Sequence, residues 1–244
     1  MMNLKIVFED ENLLVVDKPA GLVVHPGAGE HDETLVDWFL STYPNSKNLN
    51  WPDPERAGVV HRLDKDTSGL IILAKNPEAL KKLQTLFQSH QIKKSYQALV
   101  FGKLEKAQDE IVGLIGRDPD RRRQQTAKTI HFDFQPGKHR EAKTYYKALK
   151  GYRYQNYDLA LVEATLETGR MHQIRVHFKS IGHPVIGDPL YNIKHSRILS
   201  KSLEISRQFL HAYKLSFKNP FDGKDINIEI PLSADLQTIL AKLS

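Results

Sequence analysis

The stretch HRLDKDTSGLIILAK, residues 61–75, joins a charged segment to an apolar one. Its second half predicts a buried strand over residues 69–74, and residues 59–64 predict another strand segment on the other side of a polar loop. A carboxylate such as Asp64, placed between buried strands, stays ionised only beside a cation, because desolvation raises the pKa of an unpaired carboxyl group. The segment is therefore either a structural ion pair under a surface loop or a site of chemistry.

On both sides of this stretch, short strands outnumber helices. The hydrophobic pattern predicts strands over residues 4–8, 13–17, 96–101, 143–150, 157–167 and 209–217, and helices over residues 34–43, 76–89, 171–181 and from Ser233 onward. This mixture predicts an α+β fold around one mixed, largely antiparallel central sheet.

Composition narrows the class of protein. The chain has 244 residues, 40% of them hydrophobic, with 35 Lys and Arg against 29 Asp and Glu, and no Cys. The apolar fraction excludes a disordered chain, and the lack of Cys excludes thiolate metal sites, iron–sulfur clusters and cysteine nucleophiles. No apolar run approaches the ~20 residues of a membrane span, and the N-terminus lacks a signal-peptide pattern. A cytoplasmic protein with an affinity for polyanions is expected.

A second charged segment, ETGRMHQIR, occupies residues 167–175. In the helix that it starts, His172, Arg175 and Lys179 fall on one face, apart from an apolar stripe. The Arg175 guanidinium is the type of rigid donor that could hold the Asp64 carboxylate.

The motif at residues 61–75 resembles the catalytic motif of the RluA-type RNA pseudouridine synthases. Three other stretches resemble that family in the same order: LKIVFEDENLLVVDKPAGLVVHPG, KKSYQALVFG and LETGRMHQIRVHFKSIGHPVIGDPLY, with RQFLHAYKLSFKNP as a closing strand. The resemblance implies a mixed sheet split by a basic catalytic cleft. It also implies a single catalytic domain over residues 1–244, of the short form without an N-terminal S4 domain.

The resemblance implies an isomerase that breaks the N1–C1′ bond of uridine, rotates the base and rejoins it through C5. Asp64 matches the catalytic aspartate of the family. Tyr96 matches the tyrosine that stacks on the target base and removes the C5 proton, and Arg175 matches the arginine that pairs with the aspartate. By matched motif position or by charge, the residues expected to contact RNA are Arg62, Ile174, Arg170, His172, Arg121, Arg122 and Arg123.

The expected substrate is structured RNA, namely 23S ribosomal RNA, with a tRNA as the alternative. The expected enzyme is a monomer that needs no cofactor and does not bind a membrane. Eleven histidines raise the question of a metal, but none has acidic partners at a useful spacing, so no metal is expected. Asp66 is a second carboxylate that could take part in catalysis or fix the loop. An RNA-binding protein without catalysis and a hydrolase that releases uracil remain alternatives.

Overall fold

The computed structural model describes residues 2–26, 33–117, 125–128 and 139–243. The chain folds into two compact units, Met1–Lys93 with Ala212–Pro231 and Lys94–His211 with Leu232–Ser244. The single catalytic domain expected over residues 1–244 stays a prediction.

The first unit contains five strands and two helices. These are β1 (Lys5–Glu9), β2 (Leu13–Lys18), α1 (Leu35–Thr42), β3 (Ser68–Ala74), α2 (Pro77–Gln88), most of β9 (Leu210–Lys218) and β10 (Asp225–Glu229). Two short 3-10 turns, Pro44–Asn48 and Pro54–Arg56, follow α1. The strand order is β1-β2-β3-β9-β10.

Two apolar strands, β2 and β3, form the buried centre of this unit. Every residue of β3 is buried, and so are the four residues that open β2. The two strands pair antiparallel, Val15 opposite Ile72, and α2 begins directly after them. The Asn76 side chain accepts a hydrogen bond from Ala79 N at 2.8 Å, and Pro77 occupies the first turn, where its missing N–H costs nothing.

The second unit contains five strands and three helices. These are β4 (Lys93–Phe101), β5 (Gln108–Arg117), β6 (Gln125–Lys128), β7 (His139–Tyr154), β8 (Tyr157–Leu166), α3 (Gln173–Ser180), α4 (Lys194–Ser202) and α5 (Ala234–Ala241). The strand order is β4-β8-β7-β5-β6. A long hairpin of β7 and β8 forms its middle, with a bulge between Ala148 and Lys150.

The predicted α+β class with largely antiparallel strands is confirmed, since the pairs β1–β2, β2–β3, β9–β10, β4–β8, β5–β6, β5–β7 and β7–β8 are all antiparallel. Strands β5, β6 and β10 and helix α4 were not predicted, because their short apolar stretches alternate weakly with polar and charged residues. Among the described residues, no helix is long and apolar enough to cross a membrane.

Candidate active site

The predicted catalytic carboxylate lies in a loop of the first unit, immediately before β3. The strand expected over residues 59–64 is wrong, because only Val59 makes a bridge, opposite Leu73, and the charged residues after it leave the sheet. Asp64 is half-buried, and its main-chain carbonyl accepts a hydrogen bond from Thr67 N at 3.1 Å. The loop is a tight turn that places a carboxylate beside a fully buried strand.

A buried lysine anchors the main chain next to Asp64. The Lys18 side chain is inaccessible to solvent, and its Nζ donates to the carbonyls of Pro19 at 2.9 Å, Leu22 at 2.8 Å and Lys65 at 2.9 Å. The Lys65 carbonyl also accepts from Gly21 N at 3.0 Å. Because three carbonyl acceptors compensate the lost hydration of the ammonium, Lys18 stabilises the turn that follows Asp64. This role of Lys18 was not predicted, although a lysine at the end of an apolar strand is a signal for it.

Basic side chains lie on both sides of Asp64 in the loop. Arg62, an expected RNA contact, is exposed, and so is the Lys65 side chain. With the Asp66 carboxylate, the loop therefore carries two cations and two anions, so its formal charges balance.

The junction of the loop and β3 requires glycine. Gly69 has φ +112°, and a Cβ at this position would collide with the main-chain carbonyl of Ala212 in β9. No larger residue fits there without moving one of the two strands, so Gly69 fixes where the loop ends.

Tyr96 lies in β4 of the second unit, opposite Ala164 of β8, and its side chain is buried. Lys94 precedes it by two residues and therefore lies on the same face of the strand. Burial lowers the pKa of Lys94 to about 8. The neighbouring Lys93, by contrast, is exposed.

Arg175 is held by Asp188, a carboxylate that was not among the predicted site residues. Its Nε donates to Asp188 Oδ2 at 2.7 Å, and its Nη2 donates to Asp188 Oδ1 at 3.0 Å. The Arg175 side chain is only 4% exposed and the Asp188 side chain is inaccessible. Asp188 also accepts from the main-chain N–H groups of Leu190 and Tyr191. This two-bond geometry fixes the plane of the guanidinium.

On the polar face of α3, Arg175 is buried, whereas His172 and Lys179 are half-buried. All of the first six residues of α3 are buried, including Gln173, Ile174 and Arg175. The helix packs on more than one side, so its polar side chains are paired inside the unit.

His172 and Tyr191 connect the start of α3 to the Asp188 loop. His172 has a left-handed backbone, φ 56°, and its Nδ1 lies 3.0 Å from the hydroxyl of Tyr191. The Tyr191 ring lies 5.2 Å from the guanidinium carbon of Arg175. Arg170, two residues before His172, donates from Nε to the Glu141 carbonyl at 3.1 Å. Arg170 and His172 therefore both have structural partners in the second unit.

Two further expectations concern RNA and metal ligands. Arg121, Arg122 and Arg123 lie outside the described residues. Within the described ranges, no three His, Asp or Glu side chains come close enough together to hold a metal ion.

A buried histidine, His177, follows Arg175 by two residues in α3. His177 is inaccessible to solvent, and its Nδ1 lies 2.9 Å from Thr144 Oγ1, which also accepts from Gln173 Nε2 at 3.0 Å. Within the described part of the chain, His177 Nε2 has no hydrogen-bond partner. Burial therefore lowers the pKa of His177 to about 4.

We expect the free energy of unfolding to decrease as the pH falls through the range set by His177. Because the folded pKa is below the unfolded value of 6.5, this stability is fully present above pH 6.5 and is lost as the pH falls to about 4. The loss is at most about 3 kcal/mol. Urea unfolding across this range measures it. His177→Gln should make the profile shallower, because it removes the side chain whose pKa is lowered by burial.

Residues 12–180 match the family model described as RNA pseudouridylate synthase. The chain is 42% identical over 240 residues to "Ribosomal large subunit pseudouridine synthase D" of Nitrosomonas europaea, covering 97% of this chain and 64% of that protein. The protein of the same name from Zymomonas mobilis is 39% identical, covering 98% of this chain and 73% of its own length. An "Uncharacterized RNA pseudouridine synthase" of Chloroflexus aurantiacus is 41% identical over 93% of this chain and 65% of its own length.

Two solved structures share the fold. "Human RNA Pseudouridylate Synthase Domain Containing 1" superposes with a TM-score of 0.73 at 26% identity, covering 96% of this chain and 87% of that one. "Human RNA Pseudouridylate Synthase Domain Containing 4" superposes with a TM-score of 0.74 at 23% identity, covering 98% of this chain and 92% of that one.

Proposed function

Because this chain belongs to the RNA pseudouridylate synthase family, we propose that it isomerises specific uridines in structured RNA to pseudouridine. The family match over residues 12–180 carries the proposal, since that range contains Asp64, Tyr96 and Arg175. In this reaction the N1–C1′ bond breaks, the base rotates and a C5–C1′ bond forms, while C5 loses a proton and N1 gains one. The change is redox neutral and transfers no phosphoryl group, so we propose that it uses no cofactor and no metal.

Asp64 is the catalytic carboxylate of this proposal. It acts either as the nucleophile at C1′ or as the base at C2′, and both roles require the ionised form. The half-buried position of Asp64 and the anchored main chain at Lys65 support a carboxylate held in one place. Arg175 is the proposed cationic partner, and its plane is fixed by Asp188.

Tyr96 and Ile174 are the proposed contacts of the target base. A uridine must leave its stack to be isomerised, which costs a few kcal/mol, and an aromatic ring recovers part of this cost by stacking. The Tyr96 hydroxyl is the proposed acceptor of the C5 proton. Arg62 is proposed to hold the extruded nucleotide. The remaining proposed RNA contacts are Arg170, His172, Arg121, Arg122 and Arg123.

The release of tritium from RNA labelled at uridine C5 tests the reaction. Purified protein in the presence of a chelator is expected to release tritium from cellular RNA, because formation of the C5–C1′ bond displaces the C5 hydrogen. Nucleoside analysis of the digested RNA should show pseudouridine and no free uracil. Free uracil would identify a hydrolase instead, and RNA binding with neither product would identify a protein without catalysis.

Large-subunit ribosomal RNA is the proposed substrate. Several relatives carry the name ribosomal large subunit pseudouridine synthase, although the chain spans 64% of the length of the Nitrosomonas relative. A tRNA is the alternative. Pseudouridine maps of total RNA from a deletion strain and its parent decide between them: we expect the loss of a site in 23S RNA, and a loss confined to tRNA would contradict the proposal.

A further inference from the structure

His61 occupies an unusual position beside β3. Upstream of the Asp64 loop, Gly58 O accepts a hydrogen bond from Ala74 N at 2.8 Å, and Val59 bridges Leu73. The next N–H of β3 on that edge belongs to Ile72. It donates at 3.0 Å to Nε2 of the His61 imidazole.

The imidazole takes the place of a main-chain acceptor. In an antiparallel ladder that begins at Gly58 and Ala74, the partner of Ile72 is residue 60, and its carbonyl is the expected acceptor. With the His61 ring making this bond, the main chain is released from β3 while Ile72 N–H still has a partner. A buried N–H without a partner would lower the stability of the fold. Because the His61 ring accepts from Ile72 N–H, the main chain can leave β3 without this loss.

The His61 ring is also fixed from the other side. Its centroid lies 4.5 Å from that of Phe87 in α2, with 30° between the two planes. Because Nε2 accepts a hydrogen bond, the imidazole is neutral at this atom and its proton is on Nδ1. The main chain is therefore fixed before Asp64 by His61, and directly after it by the hydrogen bonds from Lys18 and Gly21 to the Lys65 carbonyl.

We propose that His61 is a positioning residue for Asp64, acting as a side-chain acceptor that determines where the main chain leaves β3. Asp64 follows His61 by three residues and precedes the Lys65 anchor by one. This inference rests on the proposed function, because it matters for turnover only if Asp64 is the reacting carboxylate. It assigns no contact with RNA to His61.

Two substitutions of His61 in the full chain separate the hydrogen bond from the ring packing. His61→Phe keeps an aromatic ring against Phe87 but removes the acceptor, whereas His61→Gln keeps an acceptor within reach of Ile72 N–H. We expect His61→Phe to lower kcat about 100-fold, since small displacements of a reacting group cost about this much. The KM for RNA should change less than about threefold in His61→Phe, because no contact between His61 and RNA is proposed. His61→Gln should retain most of the activity, because its side-chain oxygen can still accept the hydrogen bond from Ile72 N–H.

Amide hydrogen exchange at Ile72 reports on the same bond without activity. Exchange should accelerate in His61→Phe and stay slow in His61→Gln. Nitrogen NMR of the wild-type ring supplies a measurement that needs no variant, and it should show Nε2 without a proton. A proton on Nε2, or unchanged exchange at Ile72 in His61→Phe, would overturn the inference.

The outcomes also distinguish this inference from the proposed function. An active wild-type protein whose His61→Phe variant keeps its kcat would refute the positioning role and leave the proposed function intact. A wild-type protein that releases no tritium from any RNA would refute the proposed function, while the exchange and NMR measurements would still decide whether the hydrogen bond exists.

Discussion

Replacement of Asp64 by Asn is expected to lower kcat at least about 10³-fold while RNA affinity changes little, because an amide is neither a nucleophile at C1′ nor a base at C2′. The amide has nearly the same shape as the carboxylate, so the loop should keep its turn to Thr67. Tritium release under single-turnover conditions measures the chemical step, and filter binding of the same RNA measures affinity.

Asp66 provides a matched control in the same loop. It is also half-buried and lies two residues further along the chain. Asp66→Asn should retain kcat within about tenfold, since a carboxylate without a bond to the reacting atoms contributes only through the local field. If the two variants exchange these outcomes, Asp66 is the reacting group and the proposed role of Asp64 is wrong.

Arg175→Leu is expected to lower the free energy of unfolding by about 3–5 kcal/mol, because it leaves the buried Asp188 carboxylate without its cation. Both side chains are almost inaccessible, and two hydrogen bonds join them. Turnover should also be lost, since the proposed partner of the catalytic carboxylate is removed. Urea unfolding measures the stability, and the tritium assay measures the turnover.

Two further variants test the origin of this effect. The double variant Arg175→Leu, Asp188→Asn should recover part of the lost stability, because no unpaired charge remains buried. Removal of Arg153 from its exposed pair with Asp158, 3.0 Å apart, should cost less than about 1 kcal/mol. A loss below that value for Arg175→Leu would mean that Asp188 is hydrated or has another partner.

The sequence alone was enough to identify the family and much of the local structure. Apolar runs predicted β2, β3, β4 and β8 and the closing strand, and an Asn-Pro start predicted α2. These features depend on neighbouring residues, so a pattern along the chain contains the necessary information. The four motifs also pointed to Asp64, Tyr96 and Arg175 as candidates, a prediction that the proposed experiments test.

Only the tertiary structure decided which partners hold those candidates. Asp188 pairs with Arg175 across 13 positions, Lys18 bonds the Lys65 carbonyl across 47, and Ile72 bonds His61 across 11. In each case, several donors and acceptors of the right type occur in the sequence. Which of them meet depends on how strands and loops pack, because a buried polar group bonds whatever the fold brings within about 3 Å of it. For the same reason, Arg175 is buried against Asp188, although the periodicity of α3 places it on a polar face.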